Sequence, residues 1–497
     1  MRGKGCQVFE ARAQRNISHC FLLLCLVIFE IEREKRRDLM NNQEPIRDAR
    51  TLGIPKMLIL GLQHMFAMFG ATVLVPILVQ SYGLPLNIQT TLFFAGFGTL
   101  FFHICSRLKV PAFLGSSFAF LGGFEAMGAI DSGIYAGMPA AEKLQYACGG
   151  VVVAGLLYVI LAIVIKLVGV HRVMRFLPPI VTGPIIILIG LNLAPTAVAN
   201  ASSCWWLAIV AIAVIVVANI WGKGMIKIIP ILLGVVVPYV IALICTLCGY
   251  ELIDFSGMDV KGLFGGLTPV LGFQPFVTDF TGSIAKFDIS AILVMAPIAI
   301  AAMMEHIGDI SAISATVGEN FIENPGLHRT LIGDGIATSL SAMFGGPANT
   351  TYGENTGVLV LSRVHDPRVV RLAAIYAIIL SFSPAFAHII NTIPAAIVGG
   401  VSFILYGMIS AIGVRNVVEN RVDFTKSRNL IIAAVILVCG LGFSGGLTFQ
   451  IGSASITLTS LAIAAIAGIV LNAILPGNDF HFGKSENSDT SADFGRY

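Results

Sequence analysis

From Ser455 to Leu475 the chain carries no charged side chain, and the run through Ala211–Ile220 with its flanks is equally apolar. An apolar stretch of about 18 residues or more is long enough to take a helix across a bilayer core of roughly 30 Å. The pattern recurs along the chain. Length and Gly/Pro punctuation mark about fourteen spans, near 57–81, 89–107, 111–130, 146–168, 173–194, 204–221, 226–248, 287–307, 328–345, 349–363, 369–389, 392–413, 428–444 and 453–474. Only 12% of the residues are charged and 56% are hydrophobic, against about 25% charged in a soluble domain. Such a chain cannot cover a water-facing surface, so the expected class is an all-α polytopic membrane protein.

The placement of basic residues tests the count. With the N-terminus inside, fifteen Lys and Arg between Arg107 and Arg428 fall at the cytoplasmic span ends, against Lys143, Lys261 and Lys286 outside. One miscounted span midway would destroy that asymmetry. Both termini are therefore expected to face the cytoplasm of a cell whose cytoplasmic membrane the protein spans. Residues 1–50 read as a cytoplasmic leader, in which Met40 is expected to be the natural start. The apolar run Cys20–Phe29 is too short to span and lacks a small-residue cleavage site. Residues 51–248 hold segments 1–7, 249–286 a polar link, 287–475 segments 8–14, and 476–497 a polar, disordered tail. An odd number of spans per half inverts the second half relative to the first. Cys245 and Cys248 form a CxxC within an apolar helix, where buried small side chains are the reading rather than a metal or redox motif.

Two segments are poor continuous helices. The third opens with PAFLGSSFAFLGG from Pro111, and the tenth with GGPANTTYGENTG from Gly345. Irregular backbone at membrane depth is tolerated only inside protein or along a cavity. Close packing of small residues explains either segment alone, but their matched positions in the two halves point to a substrate site. Ionisable groups within spans each cost about 2.5–3.5 kcal/mol at the bilayer centre, and His64, Glu125, Glu305, His306, Asp309, Asp334 and Glu354 are such groups. Glu305 and Asp309, four residues apart, share a helix face. Acids meeting at one small cavity can exchange a proton with a ligand's passage, and a carboxylate accepts from the N–H groups of a planar base. For Asp334 and Glu125 helix bracing is the competing reading, and His103 and His388 read as interfacial. A channel would offer rings or a repeated filter, which a single asymmetric pair of acids does not. A metalloenzyme on Glu305, His306 and Asp309 is opposed by His306 pointing about 100° away around the helix. An anion carrier of the same plan would prefer positive helix ends without acids.

The strings GLQHMFAMFGATVLVP, PAFLGSSFAF, MMEHIGDIS, GLHRTLIGDG and NTTYGENTGVLVLSR resemble the nucleobase–ascorbate transporters, a nucleobase:cation symporter family, with bacterial uracil permeases as the closest branch. The resemblance runs from about Thr51 to Leu475, and Glu354, Asn355, Gly357, Ser362 and Arg363 meet the signature E-N-x-G-x-x-x-x-[ST]-R. It implies fourteen spans in two inverted repeats, a core domain from segments 1–4 and 8–11, and a gate domain from segments 5–7 and 12–14. Short strands in segments 3 and 10 would pair antiparallel beside the substrate. By motif position Glu305 and Glu354 would hold two edges of a pyrimidine, with backbone amides near Phe118 and Gly353 at its carbonyls. Phe118 would also wall the ring and Ala71 would line the pocket. Glu305, Asp309 and Tyr352 would serve proton coupling, supported by His64, Asn355 and Ser117.

The implied function is import of uracil with protons, neither enzymatic nor dependent on a cofactor or metal, with a purine or broader nucleobase range as the alternative. The carboxylate at position 354 favours a pyrimidine, since purine-type relatives often carry Gln there, which both donates and accepts. Asp309 departs from the His found in the family's uracil permeases, an exchange that alters which group holds the resting proton. The resemblance accommodates a homodimer braced through the gate and implies no nucleic-acid partner.

Overall fold

The structure, a computed structural model, describes residues 45–477 apart from 132, 224, 251, 254–283, 384–388, 444–445 and 452–453. The leader with Met40, most of the 249–286 link with Lys261, His388, and the tail beyond 477 lie outside the described residues.

Fifteen helices carry the architecture among the described residues, besides shorter helical turns. They are α1 (Ile54–Ser81), α2 (Ile88–Cys105), α3 (Leu121–Ala129), α4 (Ala140–Val168), α5 (Pro179–Ala201), α6 (Trp205–Ile220), α7 (Pro230–Leu247), α8 (Ile289–Met295), α9 (Ile298–Val317), α10 (Leu327–Met343), α11 (Gly353–Ser362), α12 (Pro367–Ser381), α13 (Ala395–Glu419), α14 (Ser427–Gly442) and α15 (Ser460–Ile474). Among the described residues, seven spans, with α8 and α9 taken as one, are long and apolar enough to cross a membrane. α6, α14 and α15 are shorter apolar helices. Local chemistry sets the ends. The Asn87 side chain accepts from the Thr90 amide at the start of α2, Asp366 caps α12 ahead of Pro367, and α9 stops where Gly318 turns left-handed at φ 75°.

Strands β1 (Leu114–Ser116) and β2 (Asn349–Thr351) pair antiparallel, with Gly115 opposite Thr350. Backbone bonds from Ser117 to Ala348 (2.8 Å) and from Tyr352 to Phe113 (3.0 Å) extend the ladder at both ends. A second hairpin joins β3 (Leu447–Ile451) to β4 (Ala454–Leu458). It corrects the fourteenth span, which was expected from 453. The β-branched alternation in ASITL favours a strand there, and the helix begins only after Thr459 caps it. The eighth span is corrected as well. It breaks at Ala296–Pro297 and continues past 307 to Val317, where Gly318 in the left-handed region ends the helix.

The helices pack in two sets. In one, α4 lies on α8 and α10, and α12 lies on α1 and α2. In the other, α5 lies against α13, α6 against α7 and α13, and α14 against α5 and α15. Each set has a close glycine approach. A Cβ on Gly155 of α4 or Gly335 of α10 would sit 2.5 or 2.6 Å from the other's carbonyl oxygen. A Cβ on Gly183 of α5 or Gly413 of α13 would sit 3.2 or 2.7 Å from its partner's. Without water to drive association in a membrane, such backbone contact supplies the dispersion that joins helices. At one end Arg368 reaches both Asp48 (2.9 Å) and Asp366 (3.2 Å). The Arg50 side chain, bonded to Asp48, holds that exposed carboxyl down to about 2, so it stays ionised until the pH falls that far.

Candidate functional site

The β1–β2 pair is held by the helix that precedes each strand. The Thr99 hydroxyl of α2 accepts from the Leu114 amide (2.8 Å) and donates to the Ala95 carbonyl one turn back (2.7 Å), with the Leu114 carbonyl at 3.2 Å. In α10 the Thr338 hydroxyl holds Asn349 by accepting from its amide (3.1 Å) and donating to its carbonyl (3.0 Å). Both threonines are fully buried. Each irregular segment thus has its first backbone groups satisfied from within the protein, as membrane depth requires.

Beyond the strands the chain turns into α3 on one side and α11 on the other. Tyr352 lies over Gly115, where a Cβ would fall 2.3 Å from its ring. Its hydroxyl donates to the Ser116 carbonyl (2.9 Å) and accepts from Thr72 of α1 (3.4 Å). Thr351 donates to Asp309 Oδ2 at 2.8 Å, tying β2 to α9.

A cavity of about 200 Å³ opens where the two helix sets meet. One wall comes from α9 and the strand-to-helix turn, with Glu305, Gly308, Asp309, Thr351, Tyr352, Gly353 and Glu354. The other comes from Ile186 of α5 and from Ile409, Ile412, Arg415 and Asn416 of α13. Phe118 closes the inner end, its ring edge-on to Tyr406 with centroids 6.0 Å apart. Arg415 and Glu419, paired at 2.6 Å, stand at the mouth. Three carboxyl groups, a backbone turn with Gly at its head and an aromatic wall therefore face one slot. Such a slot suits a flat ligand with N–H donors on its edges and carbonyl acceptors between them.

The structure brings Glu305, Asp309, Glu354, Phe118, Gly353 and Tyr352 to this cavity. Ala71 is the exception among the residues expected to line it. It is fully buried in α1 and absent from the lining. His64 and Asn355 sit behind the wall, with Asn355 Nδ2 3.2 Å from His64 Nδ1 and 3.1 Å from the His64 carbonyl, joining α11 to α1. Ser117 is buried and its amide extends the strand ladder.

His306 turns away from the cavity into the helix set, its Nδ1 2.8 Å from Asp334 Oδ2 with both side chains fully buried. His103, expected at an interface, is instead buried with Nε2 2.8 Å from the Ala112 carbonyl. That bond gives the ring a partner in the interior and satisfies the chain just ahead of β1. Sequence reasoning missed the α13 wall. Its span was ended at 413, yet Ile409, Ile412 and Asn416 recur at helical spacing into that wall.

The family model Xan_ur_permease, described as the Permease family, matches residues 55–448. The uracil permease of Bacillus caldolyticus is 41% identical over 441 residues, covering 87% of this chain and 94% of that protein. The uracil permease of Bacillus subtilis (strain 168) is 37% identical over 443 residues, covering 86% and 94%. Among solved structures, the transmembrane domain of a cyanobacterium bicarbonate transporter, BicA, shares the fold with a TM-score of 0.54 at 16% identity, covering 86% of this chain and 99% of that one. With its mostly helical, membrane-spanning architecture and these matches across most of its length, the chain belongs to the permease family of nucleobase–ascorbate transporters.

Proposed function

We propose that this multi-pass membrane protein imports uracil together with protons, binding the base in the cavity between its two helix sets. The observation that carries this reading is the shared slot. Glu305 and Glu354 come from different elements, α9 and α11, and line one cavity with Phe118 at its end. A pyrimidine with two N–H donors and two carbonyl acceptors can offer a donor to each carboxylate while its carbonyls meet the amides at the Gly353 turn. The names of the relatives, uracil permeases at 37% and 41% identity, point to the same substrate. Glu305 is the proposed coupled carboxyl, with Asp309 modulating it through the same cavity and Tyr352 in the supporting shell.

The proposed architecture is fourteen segments in two inverted halves, 51–248 and 287–475. The set holding α1–α4 and α8–α12 serves as core, and the set holding α5–α7 and α13–α15 as gate. Several correspondences support this plan. The Thr99 and Thr338 clamps occupy equivalent places, each in the helix before its strand. The packing is also reciprocal. α12 on α1 and α2 mirrors α4 on α8 and α10, and α6 on α7 mirrors α14 on α15. Arg428 bonds Asn472, which bonds the Arg175 carbonyl, while Lys286 pairs with Glu142 among the ends assigned outside. The former end is proposed to be cytoplasmic, with both termini on it.

Uptake of labelled uracil by cells expressing Glu305→Gln or Glu354→Gln tests the site. Both variants are expected to reach the membrane and lose nearly all uptake, and wild-type rates in both would remove the assignment. Collapse of the proton gradient should abolish accumulation above equilibrium. Uphill uptake that survives an uncoupler but needs sodium would instead identify a sodium symporter.

A further inference from the structure

On the far side of Phe118 from the acidic slot lies a second cavity of about 290 Å³. It too opens between the helix sets. One side is α3, with Gly122, Glu125 and Ala126, and the other is Asn192 of α5 with Thr459 and Ser460 at the start of α15. Phe118 is the one residue common to both linings. Four polar side chains and an aromatic edge thus converge on a space that the acidic slot does not use. Asn192 donates to the Ser460 hydroxyl at 3.1 Å, which leaves its carbonyl and the Glu125 carboxylate as acceptors for a ligand's N–H groups. Glu125 has no ion pair or side-chain hydrogen bond recorded among the described residues, although it stands in an apolar helix. Glu125 is exposed on α3 and lines this cavity, so its carboxylate is open to a ligand there.

We propose that this cavity is an outer vestibule that captures the nucleobase before Phe118 moves aside, with Glu125 accepting from a ring N–H. It rests on the nucleobase reading given above. The side assignment follows the loop charges, since α3 leads to Asp131 and Lys143 at the end proposed to be external. Duplication supports the pairing of the two cavities. β1 leads into α3 as β2 leads into α11, so each half supplies a strand-to-helix unit whose helix carries an acid facing one cavity.

Gly122 allows a test with little cost to the fold, because a Cβ built there meets nothing within 4 Å. Gly122→Leu would fill the vestibule and leave the acidic slot open from the other side. Two quantities separate the outcomes: the KM for external uracil in cells, and equilibrium binding of labelled uracil to the purified full-length protein in detergent. The expected result is at least about a tenfold rise in KM for Gly122→Leu, with equilibrium binding within about twofold of wild type. Glu125→Gln keeps an acceptor oxygen but removes its charge, and the weaker hydrogen bond should raise the KM by roughly tenfold. External uptake by Gly122→Leu at the wild-type KM would overturn the vestibule. If Gly122→Leu lost equilibrium binding as well, Glu125→Gln would decide, and a wild-type KM in that variant would overturn the proposal. Wild-type protein that neither binds nor takes up uracil would remove the nucleobase reading itself, and this inference with it.

Discussion

Asp309 occupies an unusual position for a membrane acid. It is 93% removed from solvent by the 7% exposure of its side chain and backbone together, lines the cavity, and receives the Thr351 hydroxyl at 2.8 Å. Glu305 lies one helical turn away, and Glu354 lines the same slot. In the proposed coupling, a proton arriving at this trio would be shared among the neighbouring carboxyl groups and not held by one residue. Asp309→Asn keeps an acceptor for Thr351 and removes one titrating group. It is expected to move the pH dependence of uracil uptake while changing the uracil KM by less than about threefold, the scale of a fraction of a kcal/mol. A pH profile superimposable on the wild type would count against a modulating role. The acids themselves were legible in the sequence because charge inside an apolar span stands out. Ala71 was not, because a methyl group carries no signal of which neighbour will cover it. Arg415 and Asn416 were missed because polarity at a span end reads as loop.

At the level of elements, the two strands depend on their threonines. Three residues of strand have too few ladder bonds to hold a register alone, and the amide of the first residue of β1 and of β2 is each held by a threonine hydroxyl of the helix before it. Thr99→Val and Thr338→Val are close to isosteric and leave a buried amide without its acceptor. Each is expected to destabilise the protein by about 1–3 kcal/mol, read as a lower midpoint in thermal unfolding of the purified protein in detergent. Midpoints unchanged in both variants would sink the clamp argument. The sequence displayed these segments as interruptions rich in Pro, Gly and hydroxyl residues, yet it did not display which hydroxyls bind which amides. Thr99 lies 15 residues before its partner and Thr338 lies 11 before its own, distances over which no local pattern operates. The β3–β4 hairpin was hidden for a different reason. Its residues are as apolar as a span, and only the strand preference of β-branched side chains separates the two.

On the scale of the whole molecule, the cavity lies at the boundary between two sets of helices that are each joined internally by backbone contact at paired glycines. Between the sets the contacts vary, and a Cβ on Gly70 of α1 would fall 2.4 Å from the Ile231 side chain of α7. A Cβ on Gly308 of α9 would meet only the Ile186 side chain, at 3.7 Å, so the helices there are separated by side chains and by the slot itself. Backbone-to-backbone packing within each set, with a side-chain-lined slot where α9 faces α5, is an arrangement that would let one body rock against the other. In this conformation the acidic slot opens past Arg415 and Glu419 toward the end proposed to be cytoplasmic. Gly308→Cys, placed in a background without native cysteines, would put a thiol in the slot without a clash. An impermeant thiol reagent is expected to modify it in inside-out vesicles and to do so more slowly when uracil is present. In right-side-out vesicles the modification should fall by about tenfold or more, in proportion to the minor population in which the slot faces outward. Equal labelling from both sides would mean that the slot is a through-pore and that the two helix sets do not alternate, and rapid labelling insensitive to uracil would put the base elsewhere.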